Sequence, residues 1–412
     1  MPNVDLTRRR LLRASGLVLA GSLGAPLLNL GRCLLGAQGP TVSTRAIDLV
    51  GRSTVVDMLG LLTMDWARLR QWQRSSDHFA EVEFRSLEAS GIDVFHPAVE
   101  TAAADSQAAA TTWLGRWDRL LASGEGCYLD RADSFDDLLR APEQGKLAVI
   151  VGFQNSTHFR EVGDVERYFA LGQRVSQLTY NERNRLGSGC KVAYDSGLTS
   201  LGRAVVEEMN RVGMAVDVSH CGERTSREAI AASRSPVLVT HSNCGALVPW
   251  QPRCKSDEII RLMAAGGGVM GITVVRAYVG GGSPDLDRLL DHFDHVARLV
   301  GPEHVGLGSD VDLEGLSAAT GRPSPSYRIE GLSLPHRVFQ ITDGLLRRGW
   351  SADDLQGMLG GNFLRALAAT WPEPQWPPLA ERWPRRDPFC PAPFRSVAGP
   401  ADSGAASLSG AK

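Results

Sequence analysis

The stretch Met214–His241 reads MAVDVSHCGERTSREAIAASRSPVLVTH and contains two short apolar runs with a helical pattern between them. The runs Met214–His220 and Val237–His241 are rich in β-branched residues, and Thr225–Ser233 has helical spacing. A strand, a helix and a second strand in this order predict two parallel strands joined by a crossover helix. Both strands end in histidine, so we expect two imidazoles at the same edge of a sheet.

Six further runs of the same kind extend this pattern along the chain. They are Thr54–Asp57, Ile92–His96, Leu147–Gln154, Val175–Tyr180, Gly268–Val275 and Val305–Asp310. Eight strands alternating with helical segments over about 250 residues predict an α/β fold, the (β/α)8 TIM barrel. In that fold the carboxyl ends of the strands form the floor of the active site. Seven polar strand-end residues are therefore expected to converge on one mouth: Asp57, His96, Gln154, Tyr180, His220, His241 and Asp310.

The ends of the chain differ in composition from the predicted barrel. Thr7–Arg13 (TRRRLLR) precedes the weakly apolar stretch Ala14–Leu30, which is the order of a twin-arginine export signal. A membrane anchor is the alternative, and the glycines and the proline in that stretch disfavour it. We expect a signal segment and linker over 1–42, a barrel over 43–371 and a Pro-rich strap with a disordered tail over 372–412. The protein is then exported, to the periplasm or the cell exterior.

Charge and cysteine usage exclude some classes of partner. The formal net charge is -2 and the basic residues are dispersed, so nucleic acid is not an expected partner. Seven cysteines without a C-x-x-C pair indicate scattered thiols rather than a disulfide framework. A disulfide between two of Cys221, Cys244 and Cys254 remains open.

His220 and His241 are the strongest metal-ligand candidates. Neighbouring parallel strands lie about 4.8 Å apart, so two histidines at equivalent strand ends can share one metal ion. The alternative is that one or both are structural, hydrogen-bonded histidines. Asp310 is then either a third ligand or the general base for a metal-bound water. The loops 186–199 and 314–332 lie on the same side of the barrel and are expected to shape the substrate pocket.

The order and spacing of several motifs resemble those of the membrane dipeptidases, also called renal dipeptidases, which are zinc-dependent barrels. The motifs are GLT at Gly197–Thr199, VDVSH at Val216–His220, SRSPVLVTHSN at Ser233–Asn243, RCKSDE at Arg253–Glu258 and EHVGLGSDVD at Glu303–Asp312. The resemblance implies that His220 and His241 bind the second zinc ion of that family. It also implies that Arg253 holds the substrate carboxylate and that Asp310 acts near the metal-bound water.

The chain departs from the family at the first metal position. Leu59 and Leu61 stand where the family has a His-x-Asp pair, and leucine cannot bind zinc. Gln154 replaces the bridging glutamate, and a neutral amide offsets no repulsion between two dications. Tyr180 replaces a substrate-orienting histidine. We therefore expect one zinc ion rather than two, and the spare groups that could rebuild a second site are Asp57, Asp65, His96 and His158.

These observations predict an exported zinc-dependent hydrolase that cleaves the amide bond of a dipeptide or a small carboxylate-bearing amide. Its expected site consists of Asp310 and Tyr180 as catalytic residues, Arg253 and Tyr180 as substrate ligands, and His220, His241 and Gln154 as metal ligands. Two alternatives stay open: a catalytically impaired protein that binds or matures a partner in the periplasm, and a scaffold without metal. The twin-arginine machinery is an expected partner, and a homodimer is a possible assembly.

Overall fold

The computed structural model describes residues 32–35, 39–100, 104–121 and 128–371, and all of them belong to one compact unit. The strands are β1 (Arg32–Leu34), β2 (Thr41–Ser43), β3 (Val56–Asp57), β4 (Val94–Phe95), β5 (Ala98–Val99), β6 (Leu129–Arg131), β7 (Leu147–Val149), β8 (Gly152–Phe153), β9 (Val175–Gln177), β10 (Ala215–Asp217), β11 (Val239–Ser242), β12 (Met270–Ile272) and β13 (Val305–Leu307).

The helices lie between these strands and after the last one. They are α1 (Thr44–Arg52), α2 (Trp66–Trp72), α3 (Glu81–Glu88), α4 (Ser106–Leu120), α5 (Phe135–Glu143), α6 (Gly163–Ala170), α7 (Ser200–Val212), α8 (Glu223–Ala232), α9 (Asp257–Ala265), α10 (Arg276–Val279), α11 (Leu286–Val300), α12 (Arg337–Arg347), α13 (Ala352–Gln356) and α14 (Asn362–Thr370).

The parallel strands close into a barrel. β3 pairs with β4 on one side and with β13 on the other, and β11, β12 and β13 follow in order. β4 with β5, and β7 with β8, are two strands that are each interrupted once, and β8 continues to β9 and β10. A parallel bridge between Asp217 and Leu238 joins β10 to the residues before β11 and completes the ring. Each of the eight predicted strand runs contributes to this barrel, and the predicted fold class is confirmed.

Two strand features differ from the prediction. The predicted strand Leu147–Gln154 is split into β7 and β8, because β6 pairs with the first half and β9 with the second. The strand β6 was not predicted, since its sequence LDR is too short and polar to carry a strand pattern. β1 and β2 form an antiparallel pair inside the predicted linker, and the backbone N–H of Ser43 donates to Asp343 Oδ1 at 3.0 Å. Folded structure thus begins before residue 43.

The side chains of each strand point alternately to its two faces and so contribute to two separate hydrophobic clusters. In the run Leu147–Val151, residues 147, 149 and 151 belong to the larger cluster and residues 148 and 150 to the smaller one. Successive side chains of a strand point to opposite faces, and both faces of a parallel barrel are buried. The continuous apolar character of these runs follows from that double burial, and the polar residues at the strand ends are the exceptions.

Helix caps fix where the crossover helices begin and end. The Thr199 hydroxyl accepts a hydrogen bond from the Gly202 N–H at 2.9 Å at the start of α7, which is a typical N-cap. Gly213 ends the same helix with a φ of 86°, a left-handed conformation that glycine adopts without a steric penalty. The chain therefore turns directly from α7 into β10, the strand that leads to His220.

The predicted terminal segments lie outside the described residues. This holds for the signal segment over Thr7–Leu30 and for the strap and tail after Trp371. Among the helices of the described ranges, none has the length and apolar composition that a membrane crossing requires. The described cysteines Cys190, Cys221, Cys244 and Cys254 are all free thiols, so the disulfide left open among the last three is not formed.

Candidate active site

The imidazoles of His220 and His241 meet at the carboxyl end of the barrel, where His220 follows β10 by three residues and His241 lies in β11, next to its final residue. Their Nε2 atoms are 3.1 Å apart, and the two ring centroids are 5.1 Å apart. Both residues are buried, at 4% and 0% exposure. The pairing predicted from the two strand-end motifs is therefore present.

Hydrogen bonds at the other ring nitrogens indicate the tautomers. His220 Nδ1 lies 2.9 Å from the Asn181 side-chain oxygen, which can only accept. His241 Nδ1 lies 2.9 Å from the Thr240 hydroxyl, which itself donates to Asp217 Oδ2 at 2.7 Å and so can only accept from the ring. Both histidines then carry their proton on Nδ1. Each Nε2 presents a lone pair to the other, an arrangement that a shared cation stabilises.

This donor set fits zinc. Imidazole nitrogens bind zinc at about 2.0–2.1 Å, so two of them on one tetrahedral ion are about 3.3 Å apart. Metal-binding histidines almost always donate their second N–H to a fixed acceptor, as both rings do here. Burial lowers the pKa of each imidazole well below its usual value, and the Arg253 cation lowers it further. The rings are thus held neutral, which is the form that binds metal.

Asp217 organises the groups around the pair. Its Oδ1 accepts hydrogen bonds from the backbone N–H of Ser219 at 2.9 Å and of Thr240 at 3.1 Å, and from the Ser219 hydroxyl at 2.5 Å. The Ser219 hydroxyl oxygen in turn accepts a hydrogen bond from the backbone N–H of His241 at 3.1 Å. One carboxylate thereby fixes the ends of both histidine-bearing strands.

Asp310 projects from a strained backbone position. Its φ of 59° makes it the one non-glycine residue with positive φ in the described part of the chain. Its N–H donates to Leu59 O at 2.9 Å, which fastens the turn to the segment that follows β3. Burial raises the pKa of the Asp310 carboxyl to about 7, with a smaller contribution from Asp57 and an opposing one from the Arg253 cation. A carboxylate with a pKa near neutrality is suited to accept and return a proton.

A cavity of about 610 Å³ opens at this end of the barrel. Four of the predicted residues contribute to its wall, namely Gln154, Tyr180, His220 and Asp310. The volume lies in the range of roughly 300–1,000 Å³ that is typical of small-molecule sites. Asp310 and one imidazole of the histidine pair therefore face the same space.

Tyr180 and Gln154 flank the histidine pair in this cavity. The Tyr180 ring stacks on the His220 ring, with centroids 4.2 Å apart and planes 20° apart. Burial and the nearby Asp310 raise the pKa of the Tyr180 hydroxyl, which keeps it a proton donor. The Gln154 amide donates from Nε2 to Ala98 O at 3.1 Å, which directs the amide along the wall. The role of Gln154 as a metal ligand remains a prediction.

Arg253 lies behind the cavity wall rather than in it. The side chain is 1% exposed, and its Nη1 and Nη2 donate to the backbone oxygens of Ser219 at 2.6 Å and His241 at 2.7 Å. Its third donor, Nε, has no hydrogen-bond partner in the described part of the chain. In this arrangement the guanidinium joins the two histidine-bearing strand ends. Its predicted contact with a substrate carboxylate remains a prediction.

Two residues expected at the mouth do not line the cavity. Asp57 is 0% exposed and accepts from the Ser309 N–H at 2.8 Å and from Arg337 Nη2 at 3.2 Å. His96 is buried, with Nδ1 2.6 Å from Met58 O. Each is held by a buried partner, which keeps it out of the cavity wall. Both stay close to the site, since the charge of His96 acts on His241 and that of Asp57 acts on Asp310. Their convergence on the mouth remains a prediction.

The other two spare ligands are also structural. Asp65 caps α2, accepting from the backbone N–H of Ala67 at 2.9 Å and of Arg68 at 3.0 Å. His158 is buried with its Nε2 3.0 Å from Gln173 Oε1. In the described ranges, no three side chains of His, Cys, Asp or Glu form a group that could hold a metal ion, and this includes His220 and His241 taken with Asp310. The spare groups do not rebuild a second site.

Buried leucines occupy the positions at which the family that the sequence resembles has its first pair of metal ligands. Leu59 is 0% and Leu61 4% exposed, and both belong to the buried apolar residues of the barrel. The Leu61 N–H donates to Val311 O at 3.4 Å, beside Asp310. Apolar side chains therefore occupy the stretch where the resemblance would place charged ligands.

The predicted loops contribute unequally. The loop 314–332 supplies Ala318, Ser326 and Tyr327 to the cavity, as expected. The loop 186–199 instead lines a second cavity of about 580 Å³, with Lys255 in its wall. The main cavity receives residues from α2 and α4 that sequence reasoning missed: Trp66, Leu69, Arg70, Trp113 and Arg116. The helical spacing of α4 can be read from the sequence. That spacing does not show which part of the barrel the helix packs against.

A family profile and several curated relatives match most of the barrel. The profile of the family described as "Membrane dipeptidase (Peptidase family M19)" matches residues 44–372. Dipeptidase verJ of Clonostachys rogersoniana is 32% identical over 246 residues, which is 58% of this chain and 60% of that protein. The chain aligns with about half of the length of the curated relatives that it matches. The aligned part is 60% of verJ and 45% of Dipeptidase 3 of Rattus norvegicus.

Solved structures show the same fold. An amidohydrolase from Pseudomonas aeruginosa superposes with a TM-score of 0.68 at 26% identity, over 80% of this chain and 99% of that one. A metallopeptidase from Rhodobacter sphaeroides, liganded with a phosphinate mimic of the dipeptide L-Ala-D-Ala, superposes with a TM-score of 0.63 at 18% identity, over 77% and 99%. At that identity the second likeness supports the fold alone.

Proposed function

The chain belongs to the membrane dipeptidase family, and on that premise we propose that it is a zinc-dependent hydrolase of dipeptides or small carboxylate-bearing amides, working with one metal ion. The facing Nε2 atoms of His220 and His241, 3.1 Å apart, carry the proposal. A pair of buried lone pairs at this distance is costly unless a cation lies between them. The names of the relatives and the liganded neighbour indicate a dipeptide as the substrate class.

Each residue of the site has a separate role in the proposed reaction. His220 and His241 would hold the ion, with Gln154, Asp310 or water completing the shell. When bound, the zinc ion supplies a Lewis acid that polarises the scissile carbonyl. Asp310 takes a proton from the attacking water and returns it to the amine as the carbon–nitrogen bond breaks. Tyr180 donates its hydroxyl hydrogen to a substrate oxygen, because its raised pKa keeps it protonated.

A second function has its own supporting observation. Leu59 and Leu61 are buried where the family has its first pair of metal ligands. A chain that has lost this position could keep the pocket and one ion for binding rather than for turnover. The second candidate is therefore a catalytically impaired protein that binds or matures a partner in the periplasm. Metal content and turnover, measured on the same sample, separate the two.

Export through the twin-arginine machinery is part of the proposal. It rests on the motif Thr7–Arg13 and the weakly apolar stretch after it. Twin-arginine substrates cross the membrane folded, which suits a protein that loads metal first. Arg8→Lys with Arg9→Lys should hold the protein in the cytoplasm, as measured by cell fractionation. Unchanged delivery of the double variant would contradict this route.

The deciding experiment measures zinc and dipeptide hydrolysis on the purified chain and its variants. We expect one zinc ion per chain, and His220→Ala or His241→Ala should abolish tight binding because so few strong ligands hold the ion. Asp310→Asn should keep the metal and lose turnover if the carboxylate is a base. His78→Gln, at an exposed histidine, is the matched control.

Each outcome of that experiment has a defined meaning. Zinc without turnover in the wild-type protein would favour the binding function. Two ions with robust dipeptide hydrolysis would contradict the single-ion site. Loss of zinc in Asp310→Asn would make this carboxylate a ligand rather than a base.

A further inference from the structure

One wall of the main cavity is built by helices rather than by strand ends. The helix α2 and the residue after it turn one face toward the cavity through positions spaced three and four apart, which are Trp66, Leu69, Arg70 and Gln73. The helix α4 adds Trp113 and Arg116, which are also three positions apart. The barrel mouth does not supply these residues, and the chemistry proposed above does not use them.

Gln73 is the central feature of this helical wall. Its side chain is 1% exposed, yet neither Nε2 nor Oε1 has a hydrogen-bond partner in the described part of the chain. Its backbone carbonyl accepts from Arg119 Nε at 3.1 Å, which anchors the end of α2. Buried polar groups are nearly always paired, so an unpaired amide on a residue that lines a cavity calls for a partner that the chain does not supply, such as water, an ion or a ligand.

Trp113 repeats the pattern on the neighbouring helix. It is 8% exposed, and its indole Nε1, which can only donate, has no acceptor among the described residues. Its ring packs edge-on against Trp117 at a centroid distance of 5.5 Å, which holds the indole in place. Two residues that line this wall therefore carry N–H donors with no partner among the described residues.

Two cations complete the wall. Arg70 and Arg116 line the cavity, and neither takes part in an ion pair within the described ranges. Glu100 also lines the cavity, but its carboxyl accepts from Asn155 Nδ2 at 3.3 Å, and burial raises its pKa. Unused N–H donors beside two guanidinium groups are complementary to a planar anion.

We propose that Gln73, Trp113, Arg70 and Arg116 form a distal subsite that binds a carboxylate of the substrate. The inference rests on the proposed dipeptidase function and specifies which substrates it favours. The carboxylate could be the terminal one or that of an acidic side chain, and the subsite would recognise either by the same chemistry. Arg253 lies behind the cavity wall, with Nη1 and Nη2 bonded to backbone oxygens, whereas Arg70 and Arg116 line the cavity itself.

Calorimetry on the zinc-loaded, full-length protein tests this subsite without requiring turnover. The probes are phosphinate analogues of Ala-Ala, of its C-terminal amide, of Ala-Glu and of Glu-Ala. The variants are Gln73→Leu and Arg116→Gln, with Arg203→Gln on the exposed face of α7 as the matched control. Gln73→Leu removes an unpaired buried amide, so it should not lower thermal stability, whereas a structural role would predict that it does.

We expect both variants to weaken, by at least about tenfold, the binding of every probe that carries the recognised carboxylate. If the terminal group is recognised, Ala-Ala weakens and its amide does not. If a side chain is recognised, Ala-Glu or Glu-Ala binds the wild-type protein more tightly than Ala-Ala, and the variants remove that difference.

Two results would overturn the subsite. One is unchanged affinity for all probes in both variants, and the other is an equal loss that includes the amide. If no analogue binds the wild-type protein, the proposed dipeptidase function itself fails. If all analogues bind equally well to every variant, only the subsite fails.

Discussion

Acid should destabilise this protein through His158, whose surroundings show that it is a packing residue and not a ligand. The ring lies among Phe153, Phe159 and Tyr168, with centroid distances of 4.7, 4.3 and 4.6 Å. Burial lowers its pKa from 6.5 to about 4, although the hydrogen bond to Gln173 opposes the shift. The folded protein therefore keeps this imidazole neutral.

The sign and size of the effect follow from the two pKa values. Below pH 6.5 the unfolded chain binds a proton at His158, whereas the folded chain does not bind one until the pH approaches 4. The contribution of His158 to stability therefore falls as the pH decreases toward 4 and does not change further below that pH. A difference of this size corresponds to about 3 kcal/mol in total and to roughly 2 kcal/mol at pH 5. That is a large share of the 5–15 kcal/mol typical of a folded domain.

Urea unfolding followed by tryptophan fluorescence measures this loss, with a chelator present so that metal binding does not contribute. His158→Gln keeps a donor for the Gln173 oxygen and removes the titration, so the decrease between pH 7.5 and 5 should be smaller by roughly 2 kcal/mol. His292, whose pKa burial also lowers to about 4, contributes equally to both proteins and cancels. An identical decrease in both proteins would refute the reasoning, and so would a lower zinc content of the variant measured separately without chelator.

Two further predictions concern the support of the site. Asp217→Asn should weaken zinc binding by roughly 10–100-fold in chelator competition, because the carboxylate holds the hydroxyl that orients His241; unchanged affinity would show that this contact is not needed. Gly152→Ala should destabilise the fold by about 1–3 kcal/mol or more, because the added Cβ would lie 2.2 Å from His96 Nε2. Gly115→Ala is the control and should leave the stability unchanged, since nothing lies within 4 Å of its added Cβ. Thermal unfolding of the two variants measures the difference.

The sequence by itself determined the barrel and the histidine pair. Each run such as Val237–His241 is apolar on both faces and ends in a polar residue, which identifies buried parallel strands and their functional edge. His220 and His241 end consecutive strands, so a crossover connection alone brings them to one edge. Their 3.1 Å contact required no long-range information beyond the order of the strands.

Only the tertiary structure decided which polar residues face the cavity. Asp57 ends a strand as His220 does, but Arg337, 280 positions away, pairs with it in the interior. Gln73 follows an ordinary amphipathic helix, and only the packing of that helix against the mouth leaves its amide buried and unpaired beside the site. Strand period and order are local properties of the chain. The partner of a buried charge is set by contacts between distant segments, and no local pattern encodes them.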